Sequence, residues 1–214
     1  MGVILESLPD YLTGMRVTLL LSVTSFAVAL LLGFVVATFR VSPVAPLRAA
    51  GLLYVETFRN IPLTAFFALA VFGLPKVGLT FSFYAFAVLV LGVYTGAFVA
   101  EAIRSGINTV ARGQAEAARS IGLTFGQSLW HVVLPQALRS VVQPIGSLFI
   151  AITKNSSIAS LFAVVELTGT FDALTERHAA TLPLLIGTMI AYLLITIPAG
   201  LLTGVLERRV AFKR

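Results

Sequence analysis

The chain has no cysteine, which excludes disulfide bonds and thiol chemistry. Charge is scarce: Asp, Glu, Lys and Arg make up 11% of 214 residues, against roughly 25% in an average soluble domain. No G-x-x-x-x-G-K-[ST] phosphate loop occurs, so this chain does not supply a P-loop nucleotide site of its own. The two histidines, His131 and His178, have no metal-ligand spacing, and no nucleophile–base set suggests an intramembrane enzyme. Internal repeats, linkers and low-complexity tracts are absent too, so residues 1–214 read as one transmembrane domain. The first residues, MGVILESLPDYLTG, lack a basic n-region and carry Glu6, Pro9 and Asp10. They read as a short interfacial helix rather than a cleaved signal peptide.

What the chain has instead is apolar length. Hydrophobic residues make up 58% of it and the mean hydropathy is +0.98. Several apolar runs approach the roughly 20 residues needed to cross about 30 Å of hydrocarbon. We read five spans, near Val17–Phe39, Leu52–Leu74, Phe81–Ile103, Val141–Val165 and Leu182–Leu206. Lipid cannot satisfy backbone N–H and C=O groups, so the spans must be helices and the expected class is an all-α integral membrane protein. Five spans put the termini on opposite sides. With the N-terminus outside, the inner segments hold Arg40, Arg48, Arg104, Arg112, Arg119, Arg139, Arg208, Arg209, Lys213 and Arg214. The outer segments hold Arg16, Lys76 and Arg177. This bias predicts N-out, C-in topology by the positive-inside rule, and it absorbs the net charge of +6 without invoking nucleic acid.

The segment at about 105–139 is then a polar cytoplasmic loop. Gly113 to Gly122 is alanine-rich and helix-forming, with Glu116 spaced to pair with Arg112 or Arg119. Gly122 is placed to end that helix. Ala115, Ala117 and Ala118 offer a small-residue surface for close approach by a partner. A second short helix, about Phe125 to Val133, leads to Leu134 and to Pro135, expected to break the chain before the fourth span.

These residues carry a family resemblance. Glu116, Ala117, Ala118 and Gly122, followed by Val133, Leu134 and Pro135, resemble the EAA motif of ABC importer permeases. Tyr54-Val-Glu-Thr-Phe-Arg-Asn-Ile-Pro-Leu63, Glu101-Ala-Ile-Arg-Ser-Gly-Ile107, Lys154-Asn-Ser-Ser-Ile-Ala159 and Thr18-Leu-Leu-Leu-Ser22 resemble the subgroup that imports polar amino acids. Arg40-Val-Ser-Pro43, Arg104-Ser-Gly-Ile-Asn-Thr-Val110 and Thr153-Lys-Asn155 are similar to glutamate permease subunits. Asn60-Ile61 before Pro62 departs from the Gly-Thr or Asn-Thr of many relatives. The resemblance implies the MetI-like fold of type I importers in a bacterial plasma membrane. It also implies a coupling surface at Gly113, Gln114, Glu116, Ala117, Ala118, Gly122, Leu134 and Pro135, which would sit in a groove of a cytoplasmic ATPase dimer. ATP and Mg would bind that partner, and this chain would need no cofactor. A second permease chain, identical or different, and an extracytoplasmic amino acid binding protein complete the implied assembly. The implied cargo is glutamate, glutamine or aspartate.

Ionisable groups at membrane depth cost about 2.5–3.5 kcal/mol on insertion scales and usually face a bundle interior or a water path. Thr153 to Ser157 form a polar run that reads as mid-span. Lys154, Asn155 and Ser156 are therefore candidate path residues, with a Lys154–Glu ion pair or interhelical glue as the structural alternative. Arg59, Asn60 and Glu101 are further path candidates. Their alternatives are a Glu56–Arg59 pair at the interface and a Glu101–Arg104 pair steadying the polar loop. His178, with Glu176 and Arg177, reads as part of an outer loop. The competing functions are a gradient-driven secondary amino acid transporter, which also places polar groups at mid-membrane, and a non-transporting scaffold.

Overall fold

A computed structural model describes residues 2–210. Lys213 and Arg214, both part of the charge bias, lie outside the described residues. Every regular element among those described is helical. A five-residue helix, α1 (Gly2–Glu6), precedes α2 (Leu8–Val41). After a short break come α3 (Ala45–Asn60) and α4 (Leu63–Ala68), which runs into a π-helical turn and a 3₁₀ turn ending at Val77. Helix α5 (Phe83–Thr109) leads to α6 (Arg112–Ser120) and α7 (Phe125–Ser128). A π-helical turn over Leu129–Val133 joins α7 to α8 (Leu134–Asn155). The last described elements are α9 (Leu167–His178) and α10 (Thr181–Val210).

Four helical segments are long and apolar enough to cross a membrane: Leu8–Val41, Phe83–Thr109, Phe125–Phe162 and Thr181–Arg209. The fifth expected span is not one straight helix. Ala45–Asn60 and Leu63–Val77 meet at a bend of 106°. Pro62 explains it, because a residue before proline is pushed out of the helical region, and Ile61 has φ −93° and ψ 146°.

The expected break at Pro135 is also corrected. Pro135 directly follows the π-helical turn Leu129–Val133 and the helix runs on through it; a widened turn is one of the ways a helix absorbs a proline. The fourth span therefore begins inside the predicted loop, as part of a 38-residue helical run from Phe125 to Phe162. Pro46 sits in the first turn of α3.

The core is built around the α2–α5 pair. Side chains there are small, which lets the backbones approach closely, as membrane helices require when lipid gives no hydrophobic drive to association. A Cβ at Gly33 would lie 2.5 Å from the Val99 side chain and 2.9 Å from the Gly96 carbonyl oxygen. One apolar cluster joins Leu21, Phe67, Leu91, Ile152 and Phe162, from α2, α4, α5, α8 and the turn after α8. A second, with Ala29, Val55, Val99 and Ile103, seats α3 on the same pair. The outer surface of α10 stays largely uncovered and apolar, with Leu194, Leu201 and Leu202 all exposed.

Candidate functional site

The polar segment folds as a compact cap on one end of the bundle. Helix α6 exposes Gly113, Gln114, Glu116, Ala117 and Arg119, and buries only Ala118. Its end is a paired C-cap: the Gly122 N–H donates to the Arg119 carbonyl at 3.0 Å and the Leu123 N–H to the Ala118 carbonyl at 3.2 Å. The turn needs a left-handed residue, and Gly122 supplies φ +92° without a Cβ penalty. Thr124 and Gln127 then form a reciprocal capping box that starts α7. The ion pair expected from Glu116 to Arg112 or Arg119 is absent among the described residues, so the Glu116 carboxylate projects from the cap as an exposed charge.

The cap is anchored beneath. Leu129, Val133 and Leu134 form a buried cluster with Phe34, Val41, Ile107, Val110 and Ala115 around it, and the Trp130 ring lies 5.7 Å from Phe34. Side chains from α2, α5, α6 and α8 meet there, so a push on α6 passes directly into three membrane helices. Close-packed interiors transmit strain rather than absorb it. An open groove of about 480 Å³ runs beside this cluster, lined by Ile107, Ala115, Arg119, Phe125 and Leu129. Ile121, in the turn after α6, stands 80% exposed.

Deeper in the bundle, one carboxylate gathers three guanidiniums. Arg104 donates to Glu101 Oε2 through Nε at 3.2 Å and to Oε1 through Nη2. Arg40 Nη1 donates to Oε2 at 3.1 Å, and Arg59 Nη1 lies 3.9 Å from the same oxygen. The expected Glu101–Arg104 pair is present, but the expected Glu56–Arg59 pair is not. Arg59 turns towards Glu101 and lies over the Phe98 ring at 5.5 Å. Glu56 instead accepts from Asn60 Nδ2 at 3.2 Å. Arg40 was missing from the predicted site, because no local spacing announces a partner 61 residues away. The cluster borders a cavity of about 350 Å³, lined by Arg59, Phe98, Glu101, Ser140, Pro144 and Leu148.

Lys154 does not join this cluster. It lies at the end of α8, ten residues and about 15 Å of helix beyond Pro144. The hydroxyls around it bond within their own helix: Thr153 Oγ1 donates to the Phe149 carbonyl, Ser156 Oγ to that of Thr153 and Ser157 Oγ to that of Lys154. The Ser156 hydroxyl also interacts with the Tyr192 hydroxyl of α10, so at that position the alternative of interhelical glue stands. Thr153 and Ser156 are buried, Asn155 is half-buried, and Lys154 is exposed. Among the described residues no carboxylate pairs with its ammonium.

A third polar node went unseen in the sequence. Glu166 is fully buried and caps α9, accepting from the Thr168 and Gly169 N–H groups at 2.8 and 3.1 Å. Its other oxygen accepts from Tyr192 Oη at 2.6 Å and Thr18 Oγ1 at 3.3 Å. Helices α2, α9 and α10 are thus tied through one side chain. Burial pushes the Glu166 carboxyl above its ordinary value, and the Tyr192 hydroxyl and the two backbone N–H groups pull against it. The only sequence signal was an acidic residue just ahead of a helical stretch. Glu176, Arg177 and His178, expected in an outer loop, form the last turn of α9, and Arg177 lies 3.7 Å from Asp10.

The family model for the binding-protein-dependent transport system inner membrane component matches residues 29–212. The chain belongs to that family. This permease is 38% identical to the probable glutamine ABC transporter permease protein GlnM of Bacillus subtilis, over 97% of this chain and 96% of that one. It is 40% identical to the glutamate transport system permease protein GluC of Corynebacterium glutamicum, over 96% of each. Among solved structures, an amino acid ABC transporter with histidines matches with a TM-score of 0.89 at 29% identity, covering 96% of both chains. The permease is thus a non-catalytic, multi-pass inner-membrane subunit of an ATP-driven importer. An ABC importer works with an ATPase and a binding protein, and a gradient-driven transporter finds no support among these matches.

Proposed function

We propose that this permease forms one half of a membrane path for an amino acid carrying a carboxylate, with glutamate first and glutamine or aspartate next. The relatives named for glutamate and glutamine transport support that cargo. In this reading residues 1–214 act as a single transmembrane domain with the N-terminus outside. A second permease chain, identical or homologous, covers the apolar face of α10. A dimer of ATPase subunits holds ATP and Mg on the cytoplasmic side, and an extracytoplasmic binding protein delivers cargo on the other. Gly113, Gln114, Glu116, Ala117, Ala118, Gly122, Leu134 and Pro135 form the coupling surface. Lys154, Asn155 and Ser156 serve the outer part of the path, and Arg59, Asn60 and Glu101 the inner part.

The observation that carries this reading is the build of the cap. Glu116, Gln114 and Ala117 face outward while Ala118 seats α6, and the apolar cluster behind it joins three membrane helices. Closure of the ATPases on ATP moves α6, and the packed helices follow as rigid bodies. Glu116→Lys reverses the exposed charge and is expected to weaken ATPase association about tenfold, with membrane insertion unchanged. Co-purification of the ATPase in mild detergent measures it. Wild-type recovery of the ATPase would remove Glu116 from the coupling surface.

A further inference from the structure

The three arginines around Glu101 are not equivalent. Arg40 is the most enclosed, with 12% of its side chain exposed, and Arg104 holds both carboxylate oxygens. Arg59 makes the longest contact, at 3.9 Å, and is the most exposed at 38%. It is also the one guanidinium of the three that lines the 350 Å³ cavity. It stands one residue from the end of α3, just before the 106° bend. Two guanidiniums already satisfy Glu101, so the cluster carries a surplus of positive charge beside an open cavity. Uncompensated charge in a partly desolvated site is costly and favours an incoming anion.

We propose that Arg59 is an exchangeable arm: it leaves Glu101 to take the carboxylate of the passing amino acid in this cavity and returns to Glu101 when the cargo departs. Arg40 and Arg104 are positioning residues, which hold Glu101 still so that it competes with the cargo for Arg59. The aromatic face of Phe98 keeps the guanidinium plane aimed along the cavity wall in both states. A planar fork suits this exchange because its single long contact with Glu101 can give way to a two-donor pairing with a free carboxylate. The inference rests on the reading of this chain as an amino acid importer subunit and adds a second cargo contact well separated from Lys154.

The test uses the whole importer, with both permease chains, the ATPase and the binding protein, reconstituted in vesicles with labelled glutamate. Arg59→Gln is expected to lower the maximal uptake rate about tenfold or more, the loss of a charge-assisted hydrogen bond. The concentration of loaded binding protein giving half-maximal uptake should stay the same, because docking is on the opposite face. Arg59→Lys, which keeps the charge and loses the fork, should recover part of the rate. Arg48→Gln is the control: Arg48 bonds the Ser42 and Pro43 carbonyls outside the cavity and its loss should leave uptake unchanged. Wild-type uptake by Arg59→Gln would overturn the exchange. So would failure of that variant to assemble with the ATPase, which would make Arg59 structural. Absence of amino acid uptake by the wild-type importer would instead overturn the proposed cargo, and the exchange with it.

Discussion

Glu101 and Glu166 are both acidic residues that hold helices together, and they do so by opposite means. Glu101 keeps 24% of its side chain exposed and is surrounded by three guanidiniums. Glu166 is fully enclosed and has four neutral donors: two backbone N–H groups, a tyrosine and a threonine. Neutral donors with fixed geometry make a latch. Their bonds are directional, and no mobile arm is among them. A surplus of long cationic side chains makes a site where partners exchange. The apolar surroundings match: Glu166 sits above a cluster of Leu167, Leu174 and Leu184, whereas Glu101 borders a cavity.

Breaking the latch should have the largest effect. Glu166→Ala orphans four donors and removes the α9 N-cap, a loss of about 4 kcal/mol at roughly 1 kcal/mol or more per stranded group. Thermal unfolding in detergent measures it, and the loss should not change with salt, because no partner is charged. Glu101→Gln should cost about 3 kcal/mol by leaving three guanidiniums without their counter-ion. Adding Arg40→Met should recover part of that loss, since Arg40 is the most enclosed of the three. High salt should shrink the Glu101 effect as the Debye length falls to about 3 Å at 1 M. Equal salt sensitivity at both sites would erase the contrast.

The smallest effect is a slope with pH. The folded Glu166 carboxyl titrates above its unfolded value, so its contribution to stability is complete below the ordinary glutamate range, near pH 4.3. That contribution is lost as pH rises through the folded value, where burial penalises the charge. Glu166→Gln cannot ionise, so its unfolding midpoint should come closer to wild type at about pH 8 than at about pH 4.5. Parallel curves for the two proteins would mean that Glu166 holds the same charge throughout.

Local rules carried much of this protein, and they failed at identifiable places. Gly122 as a helix stop and the Glu101–Arg104 pair at i,i+3 needed only neighbours within a turn, and both are present. The Glu56–Arg59 pair obeyed the same rule and is absent, because Arg59 found a carboxylate on α5. Glu116 had two arginines within reach and took neither. Pro135, read as a break, lies inside a continuous helical run just after a π-helical turn, which no local spacing announces.

Sequence alone determined the solvent of this chain, its helices and the polar segment whose motif marks an importer permease. Those properties depend on composition, apolar run length and spacing within a few turns, all of which are linear. Only the tertiary structure decided that Arg40, Arg59 and Arg104 share one carboxylate, that Glu166 locks three helices, and that Lys154 stands apart. Such pairings join residues up to 148 positions apart, and helix packing, not spacing along the chain, brings them within hydrogen-bonding distance.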